Sequence, residues 1–454
     1  MKTKTIIIIF LVLLSVKAMA QGFDWVKKYQ PDLTGELRCV IVTGDKQYMA
    51  CGKTNKAGYL MKADTSGTLV WDKSFLYLSE IFQLRQTSDG GFAFYAVDSS
   101  TTGSLFAKTD ANCDTLWTVR IAGSLPRTNK SFQQTADNGY ILVFSKSDTL
   151  HLRKLSVDGS FLWEKKFTGL HKASGNTVCQ TSDGGYLVGG NTNDSLPGNA
   201  KQDMYIFKTD AYGDTLWTYI IPMTGFQELM DAVETDDNNF ALLYYSGNGC
   251  KKSPYIRKIN AADTVLWDSS IMTDSYSAFP WSLCKTTAHG FMVAGEMQHT
   301  LEGTTWDFTV SKIDSLGIEK WVLNYNGPDY DYAYSAVQES DSVFIASGYS
   351  CNGGIDNKLT MAKISSVLNP AAIQDFPESM LFSMYPNPSD GNITLLFPAS
   401  TKQIRILTSI GEIVQSISLS RKTMYNISLM ETGLYFIQII TDKQTTTKKL
   451  IIIH

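Results

Sequence analysis

Short runs in which apolar and polar residues alternate recur along the chain, broken every few residues by Gly, Asp or Asn. This period of two predicts β-strands with one buried face, joined by tight turns. One stretch shows the unit in full. Thr177-Val178-Cys179-Gln180 is a first strand, and Asp183-Gly184-Gly185 is a turn where glycine adopts positive φ without steric cost. Tyr186-Leu187-Val188-Gly189-Gly190 is a second strand, Met204-Tyr205-Ile206-Phe207-Lys208 a third, and the fourth carries Trp217. The turn returns as Ser88-Asp89-Gly90-Gly91-Phe92, Ala136-Asp137-Asn138-Gly139-Tyr140 and Ala288-His289-Gly290-Phe291. It is degenerate at Asp237-Asn238-Asn239-Phe240 and Asp341-Ser342-Val343-Phe344.

The units are evenly spaced. Trp25, Trp71, Trp117, Trp163, Trp217, Trp267 and Trp321 are separated by 46, 46, 46, 54, 50 and 54 residues. A fixed period of this size marks one supersecondary unit repeated, each burying its apolar face on its neighbours. Four antiparallel strands per period is the pattern of a β-propeller blade. Phe23 to Tyr29 is a fourth strand with no blade of its own, and the last unit, ending at Met361-Ala362-Lys363-Ile364, lacks one. The first segment can therefore complete the last blade and close the ring without an open edge. The expected fold is all-β: a seven-bladed β-propeller over residues 21–367, a linker over 368–380, and a small C-terminal β-sandwich over 381–454.

The phrase Lys208-Thr209-Asp210-Ala211-Tyr212-Gly213-Asp214-Thr215-Leu216-Trp217 echoes Lys62-Ala63-Asp64-Thr65-Ser66-Gly67-Thr68-Leu69-Val70-Trp71. It resembles the tryptophan-docking motif of quinoprotein-type propellers, which implies that each tryptophan packs into the neighbouring blade. Redox members of that family have eight blades and a vicinal disulfide at the cofactor. Seven units and no adjacent cysteine pair argue against a quinone, and no cofactor is expected. Lys62, Lys108, Lys154, Lys208, Lys258, Lys312 and Lys363 recur at one position. They are read as structural, with the stem on the sheet and the ammonium in solvent. The Asp-Gly-Gly turns lack the further carboxylates that calcium needs.

The two ends carry a different kind of information. Lys2 and Lys4, an apolar run from Ile6 to Leu14, and Ala18-Met19-Ala20 form the pattern of a signal peptide over residues 1–20, leaving Gln21 first. Near the other end stand Tyr385-Pro386-Asn387-Pro388, Ile410-Gly411-Glu412-Ile413-Val414 and Thr432-Gly433-Leu434-Tyr435-Phe436-Ile437, then Lys448-Lys449-Leu450 and a closing apolar run. This order resembles the C-terminal sorting domain of proteins exported by the Bacteroidota type IX (Por) secretion system. Pro386, Asn387, Pro388, Gly411, Gly433, Tyr435, Lys448 and Lys449 carry the likeness. It implies a small β-sandwich recognised by the outer-membrane machinery, passage through the periplasm, and a secreted or surface-held product.

Charge and cysteine content narrow the function. Loss of Lys2, Lys4 and Lys17 would move the formal charge from −4 to −7. A mildly acidic chain is a poor match for nucleic acid. No later run is long and apolar enough to span a membrane as a helix, and a monomer is expected. Seven cysteines is an odd number for an exported chain. Cys39 and Cys51 flank the Gly44-Asp45 turn symmetrically and could face each other, as a disulfide or as two buried thiols. The five histidines form no metal-ligand spacing, so no metal is expected.

Extra residues gather in the connections of one face: Asn193 to Gln202, Ser246 to Ser253, Glu296 to Thr305, and Asn324 to Tyr332. Such insertions often mark a binding face. Four positions before the Gln180 equivalent, the units carry Arg38, Phe82, Lys130, Asn176, Met230, Trp281 and Tyr334. These are expected at the channel mouth on that face. Trp281, Tyr334, Trp306, Phe82 and Lys130 are the candidate ligand-binding residues, with Tyr330 and Tyr332 close by. Aromatic faces beside carboxylates suit carbohydrate, so the expected function is a non-catalytic glycan- or protein-binding module, its ligand a polysaccharide or glycoprotein. The alternative is a secreted glycan-degrading hydrolase or lyase. That would need a carboxylate pair about 5–10 Å apart, for which Asp329, Asp331 and Glu296 are the loop candidates. A purely structural envelope component is a third reading.

Overall fold

The computed structural model describes residues 22–29, 34–55, 57–99, 103–124, 126, 130–168, 172–192, 203–221, 226–248, 251–262, 264–299, 305–325, 327, 329–352, 356–365, 383–385, 389, 391–397, 401–409, 411–419, 424–428, 431–441 and 445–453. The expected signal peptide, the linker and Pro386, Asn387 and Pro388 lie outside the described residues, as do residues 193–202. The described residues fall into two compact units, 22–365 and 383–453.

The first unit is seven four-stranded antiparallel sheets. Blades 1 to 6 occupy residues 35–75, 78–121, 132–167, 173–221, 226–270 and 277–325, each with its strands in chain order. Blade 7 takes three strands from residues 331–365 and its fourth from Gly22–Tyr29. Gly22 pairs with Ser365 and Tyr29 with Leu359. The early strand thus fills the place that the last repeat leaves empty.

Three kinds of contact tie neighbouring blades. At the periphery, each outer-strand tryptophan lies against the following blade. A Cβ on Gly67, Gly159, Gly213 or Gly317 would fall within 3 Å of Trp25, Trp117, Trp163 or Trp267 respectively. At these four positions the indole occupies the space of a side chain, which glycine leaves open. Blade 2 carries Cys113 at the same place, at φ 62° and buried in the cluster that Trp71 packs on. The same indoles meet the aromatic that follows each turn, with ring centroids 6.0 Å apart for Trp163 and Tyr186 and 5.9 Å for Trp217 and Phe240. The docking role implied by the sequence resemblance is the one the tryptophans perform.

At one mouth of the channel, an inner-strand side chain accepts a hydrogen bond from the turn of the blade before at five of the seven boundaries. At blade 6 Lys285 donates to Asp236 of that turn instead. Gly44, Ser88 and Ala136 donate backbone N–H to Gln86, Gln134 and Gln180, all at 2.8 Å. Ser182 donates to Glu234 and Thr287 to Gln338, also at 2.8 Å. Midway along the channel a second circle crosses every blade boundary. Cys39 Sγ reaches Leu84 O at 3.7 Å, Gln83 accepts from Phe132 N–H, and Lys130 O accepts from Val178 N–H. Thr177 donates to Asp231, which accepts Leu283 N–H; Ser282 accepts from Ala336 N–H and Ser335 from Val40 N–H. These contacts satisfy buried polar groups that the channel would otherwise strand.

The repeated lysines differ from their expected state. Lys108, Lys154 and Lys208 have side chains only 4–5% exposed, and their ammonium groups pair with Asp89, Asp137 and Asp183 at 2.8–2.9 Å. Lys62 and Lys258 pair with Asp45 and Asp237 in the same way. The cation is therefore tucked under its own blade's turn instead of standing in solvent. Blade 6 has Ala288 where blades 1 to 5 have the aspartate, and there Lys312 donates to Thr286 Oγ1 at 2.6 Å. Burial without that carboxylate pushes the Lys312 ammonium down to about 8.

Cys39 and Cys51 are direct cross-strand partners and are free thiols, fully buried. Of the two readings the sequence left open, the structure shows the pair of thiols. The second unit is a three-stranded and a four-stranded sheet enclosing Ile393, Leu395, Ile404, Ile406, Ile437 and Leu450. Gly433 and Tyr435 lie in the strand Gly433–Thr441, and Lys448 and Lys449 in Thr445–Ile452. Gly411 turns at φ +86°.

Candidate functional site

Six of the seven inner strands carry a β-bulge, and in each the extra residue is a channel-mouth residue. The register breaks around Arg38, Phe82, Asn176, Met230, Trp281 and Tyr334. In blade 3 the inner strand begins only at Phe132, so Lys130 precedes it. A bulge turns one side chain out of the sheet's alternation and can aim it where a regular strand would not.

Trp281 and Tyr334 come together, with ring centroids 5.2 Å apart and nearly perpendicular. Phe82 joins them through Arg38, whose guanidinium lies 4.1 Å from the Tyr334 ring centroid and 5.8 Å from that of Phe82. Arg38 pairs with Glu80 and, at 2.8 Å, with Glu36. From Trp281 a run of rings continues through Phe279 at 4.6 Å and Tyr245 at 4.5 Å. On the other side of Tyr334 stand Tyr332 and Tyr349, stacked 4.8 Å apart. The Lys252 ammonium lies 4.2 Å from the Phe279 centroid.

Two candidates lie apart from this cluster. Lys130 reaches across the channel, donating to Leu283 O at 2.6 Å and pairing with Asp231 at 3.2 Å. It joins blade 3 to blades 5 and 6, so its charge is used within the ring. Trp306 forms an isolated bridge with Tyr330, and its carbonyl accepts Asp331 N–H at 2.7 Å. Arg38, Phe279 and Tyr349 were not among the sequence candidates. Arg38 occupied the right repeat position and could have been chosen on that ground. Phe279 and Tyr349 had no sequence signal, because their proximity follows from how blades 5, 6 and 7 meet.

The carboxylates considered for catalysis occupy distinct settings. Glu296 is buried and accepts from the Trp281 indole N–H. Desolvation pushes its carboxyl well above the ordinary range, opposed by Trp281, Lys252 and Arg38. Asp331 is fully buried, takes Gly327 N–H at 2.7 Å, and is pushed up to about 6 by desolvation. Among the described residues no group of three or more His, Cys, Asp or Glu could hold a metal ion, and no helix is long and apolar enough to cross a membrane.

Residues 383–453 match the secretion system C-terminal sorting domain family. No curated protein matches the chain. Similar solved structures include a protein of unknown function from Bacteroides caccae, 14% identical, covering 64% of this chain and 94% of its own, with a TM-score of 0.41. A second, of unknown function from Dyadobacter fermentans DSM 18053, is 10% identical, covering 75% and 99%, at 0.44. The WD40 domain of Neurospora crassa Pan2 is 9% identical, covering 76% and 96%, at 0.50. That last likeness is one of fold and agrees with the propeller described above. The sorting domain makes this a protein of the type IX secretion route, delivered to the medium or the cell surface.

Proposed function

We propose that the propeller is a non-catalytic binding module whose insertion-bearing channel mouth captures a surface polysaccharide or glycoprotein. The observation that carries this reading is a contrast between two positions four residues apart on the same inner strands. At one, the residues are Val42, Gln86, Gln134, Gln180, Glu234, Lys285 and Gln338. Glutamine recurs there because the position binds the neighbouring turn. At the other, Arg38, Phe82, Lys130, Asn176, Met230, Trp281 and Tyr334 are seven different residue types. A shared packing task makes residues alike, whereas a ligand without sevenfold symmetry requires them to differ. The half-buried Trp281 donates its indole N–H to Glu296 and meets Tyr334, whose ring faces Arg38 and whose hydroxyl faces Glu36. This is an apolar surface with polar groups at its edge, which suits a sugar ring.

The test is a glycan array probed with the whole chain, followed by mass spectrometry of any bound oligosaccharide. Trp281→Ala should weaken capture by about tenfold or more. It should also lower the melting temperature, because the indole packs on the core of blades 5 and 6 and caps buried Glu296, so capture is compared at a temperature where the variant is folded. A second reading, a glycan-degrading enzyme, draws on Glu296, a buried carboxyl that desolvation pushes upward, the direction a general acid needs. Shortened oligosaccharides would establish it and displace the binding reading; bound, intact ones support a module.

A further inference from the structure

Beside the aromatic mouth, between blades 7 and 1, lies a cleft of about 420 Å³ lined by Thr34, Gly35, Glu36, Lys53, Asn55 and Asn357. Glu36 joins the two regions. It faces the Tyr334 hydroxyl at 3.4 Å on the channel side and takes Asn357 Nδ2 at 3.4 Å on the cleft side. A ligand seated against Trp281 and Tyr334 would meet this cleft next.

The charges of the whole mouth cancel. Arg38 and Lys53 stand against Glu36 and Glu80, with contacts of 2.8 Å from Arg38 to Glu36 and of 3.4 and 3.8 Å from Lys53 to Glu36 and Glu80. At the other end of the aromatic run, Lys252 is opposed by Glu228, which accepts from Tyr245 OH at 2.6 Å. The fourth carboxyl, Glu296, is buried and taken up by the Trp281 indole N–H, so it does not face a ligand. Three cations thus face three carboxylates. An anionic ligand would have to displace Glu36 or Glu80 from Arg38, and a cationic one would have to displace Arg38 or Lys53 from them. Either exchange leaves a part-buried charge without its partner, a loss that a salt-rim contact does not recover. A neutral, hydroxyl-bearing ligand incurs no such loss, because hydroxyls can both donate to Glu36 and accept from Lys53, Asn55 and Asn357.

We propose that the ligand is an uncharged glycan of at least two sugars, one ring against Trp281 and Tyr334 and the next in the cleft of Glu36, Lys53, Asn55 and Asn357. This rests on the binding reading above and assigns its ligand class. The test is titration of the whole chain with neutral hexasaccharides (cellohexaose, mannohexaose, N-acetylchitohexaose), with hexagalacturonate and a heparin hexasaccharide as acidic probes, and with chitosan hexamer as a cationic one. At least one neutral hexasaccharide should bind, with an affinity unmoved by added sodium chloride. Replacing Asn55→Ala and Asn357→Ala together should weaken that hexasaccharide about tenfold, roughly the loss of one or two hydrogen bonds. The same double variant should leave the matching monosaccharide's binding unchanged. Trp281→Phe, which keeps a ring and spares the fold, should retain part of the hexasaccharide affinity. Binding confined to acidic or cationic probes, or a salt-dependent affinity, overturns the neutral-glycan assignment and leaves the binding reading standing. Equal binding of monosaccharide and hexasaccharide, or an unaffected double variant, removes the cleft from the site. No binding by any probe, together with an empty glycan array, overturns both.

Discussion

At the scale of single residues, the two glycines of the Asp-Gly-Gly turn do different work. Gly184 sits at φ +84° with open space where a Cβ would point, whereas a Cβ on Gly185 would lie 2.1 Å from Thr209 O and 2.6 Å from Lys208 Nζ. The first position needs only a left-handed backbone, which Asn138 and Asn238 also supply at φ 63° and 57°. The second leaves no room for a Cβ in this blade, although blades 1 and 5 carry Gln47 and Asn239 at the same place. Gly184→Asn should therefore change stability by less than about 0.5 kcal/mol, and Gly185→Ala should cost about 1–3 kcal/mol. Urea denaturation of the two variants checks this. The paired aspartates set an acid limit. Asp89, Asp137 and Asp183 are held down to about 2 from an ordinary 3.8, where burial raises them but Thr, Lys and backbone hydrogen bonds lower them more. A depressed carboxylate contributes stability that is complete above its unfolded value and is lost as pH falls through its folded value. The stability these pairs contribute is read as the urea midpoint of the natural chain less that of the Asp183→Asn variant. It should therefore be flat down to about pH 5 and decline between about pH 4 and 2, whereas the raised carboxyls Asp331 and Glu296 act in the opposite sense at higher pH. Each pair is largely solvated on the carboxylate side, so each contributes modestly.

At the scale of the element, a blade is a sheet that cannot cover both faces alone, and the tryptophan is its reach into the next. Trp163 packs over Gly213 and Lys165 stands beside it, pairing with Asp214 at 2.6 Å. The indole is partly exposed, so its loss creates less than a full core cavity. Trp163→Ala should cost about 2 kcal/mol, with hydrogen exchange rising first in the strands Phe161–Phe167 and Asp203–Thr209, which meet at that interface. Uniform exchange across all blades would show instead that the docking contact is not local. The bulges belong to this scale too. They give six of the inner strands a differently aimed side chain while leaving the midway hydrogen-bonding circle around the channel unbroken.

At the scale of the whole molecule, closure depends on residues far apart in the chain. Gly22–Tyr29 is the outer strand of a blade whose other strands end at Ser365. Deleting residues 22–29 should expose the backbone edge of Asp356–Ser365 and uncover Tyr29's neighbours Leu359 and Met361. The expected result is a chain that self-associates on size-exclusion chromatography, with the monomer recovered by adding a peptide of residues 22–29. A monomeric, fully folded deletion variant would show that the ring holds without its clasp.

The sequence alone determined the strand period, the number of repeats, the turn chemistry, the strand that completes the last blade and the export tail. Each of these is written in neighbouring residues: alternation, Asp-Gly-Gly, and tryptophans at a steady interval. Tertiary structure alone decided what the shared positions touch. Lys208 looks solvent-directed until the turn of its own blade folds over it, and Lys130 looks like a mouth residue until the ring brings Leu283 opposite. Trp281, Tyr334, Phe279 and Arg38 meet because blades 6, 7 and 1 converge on one axis, and the bulges fix which way Trp281, Tyr334 and Arg38 point. Local sequence sets the conformation of a strand, but which distant side chains share a few ångströms is set by ring closure, a geometric constraint that no window of the chain contains.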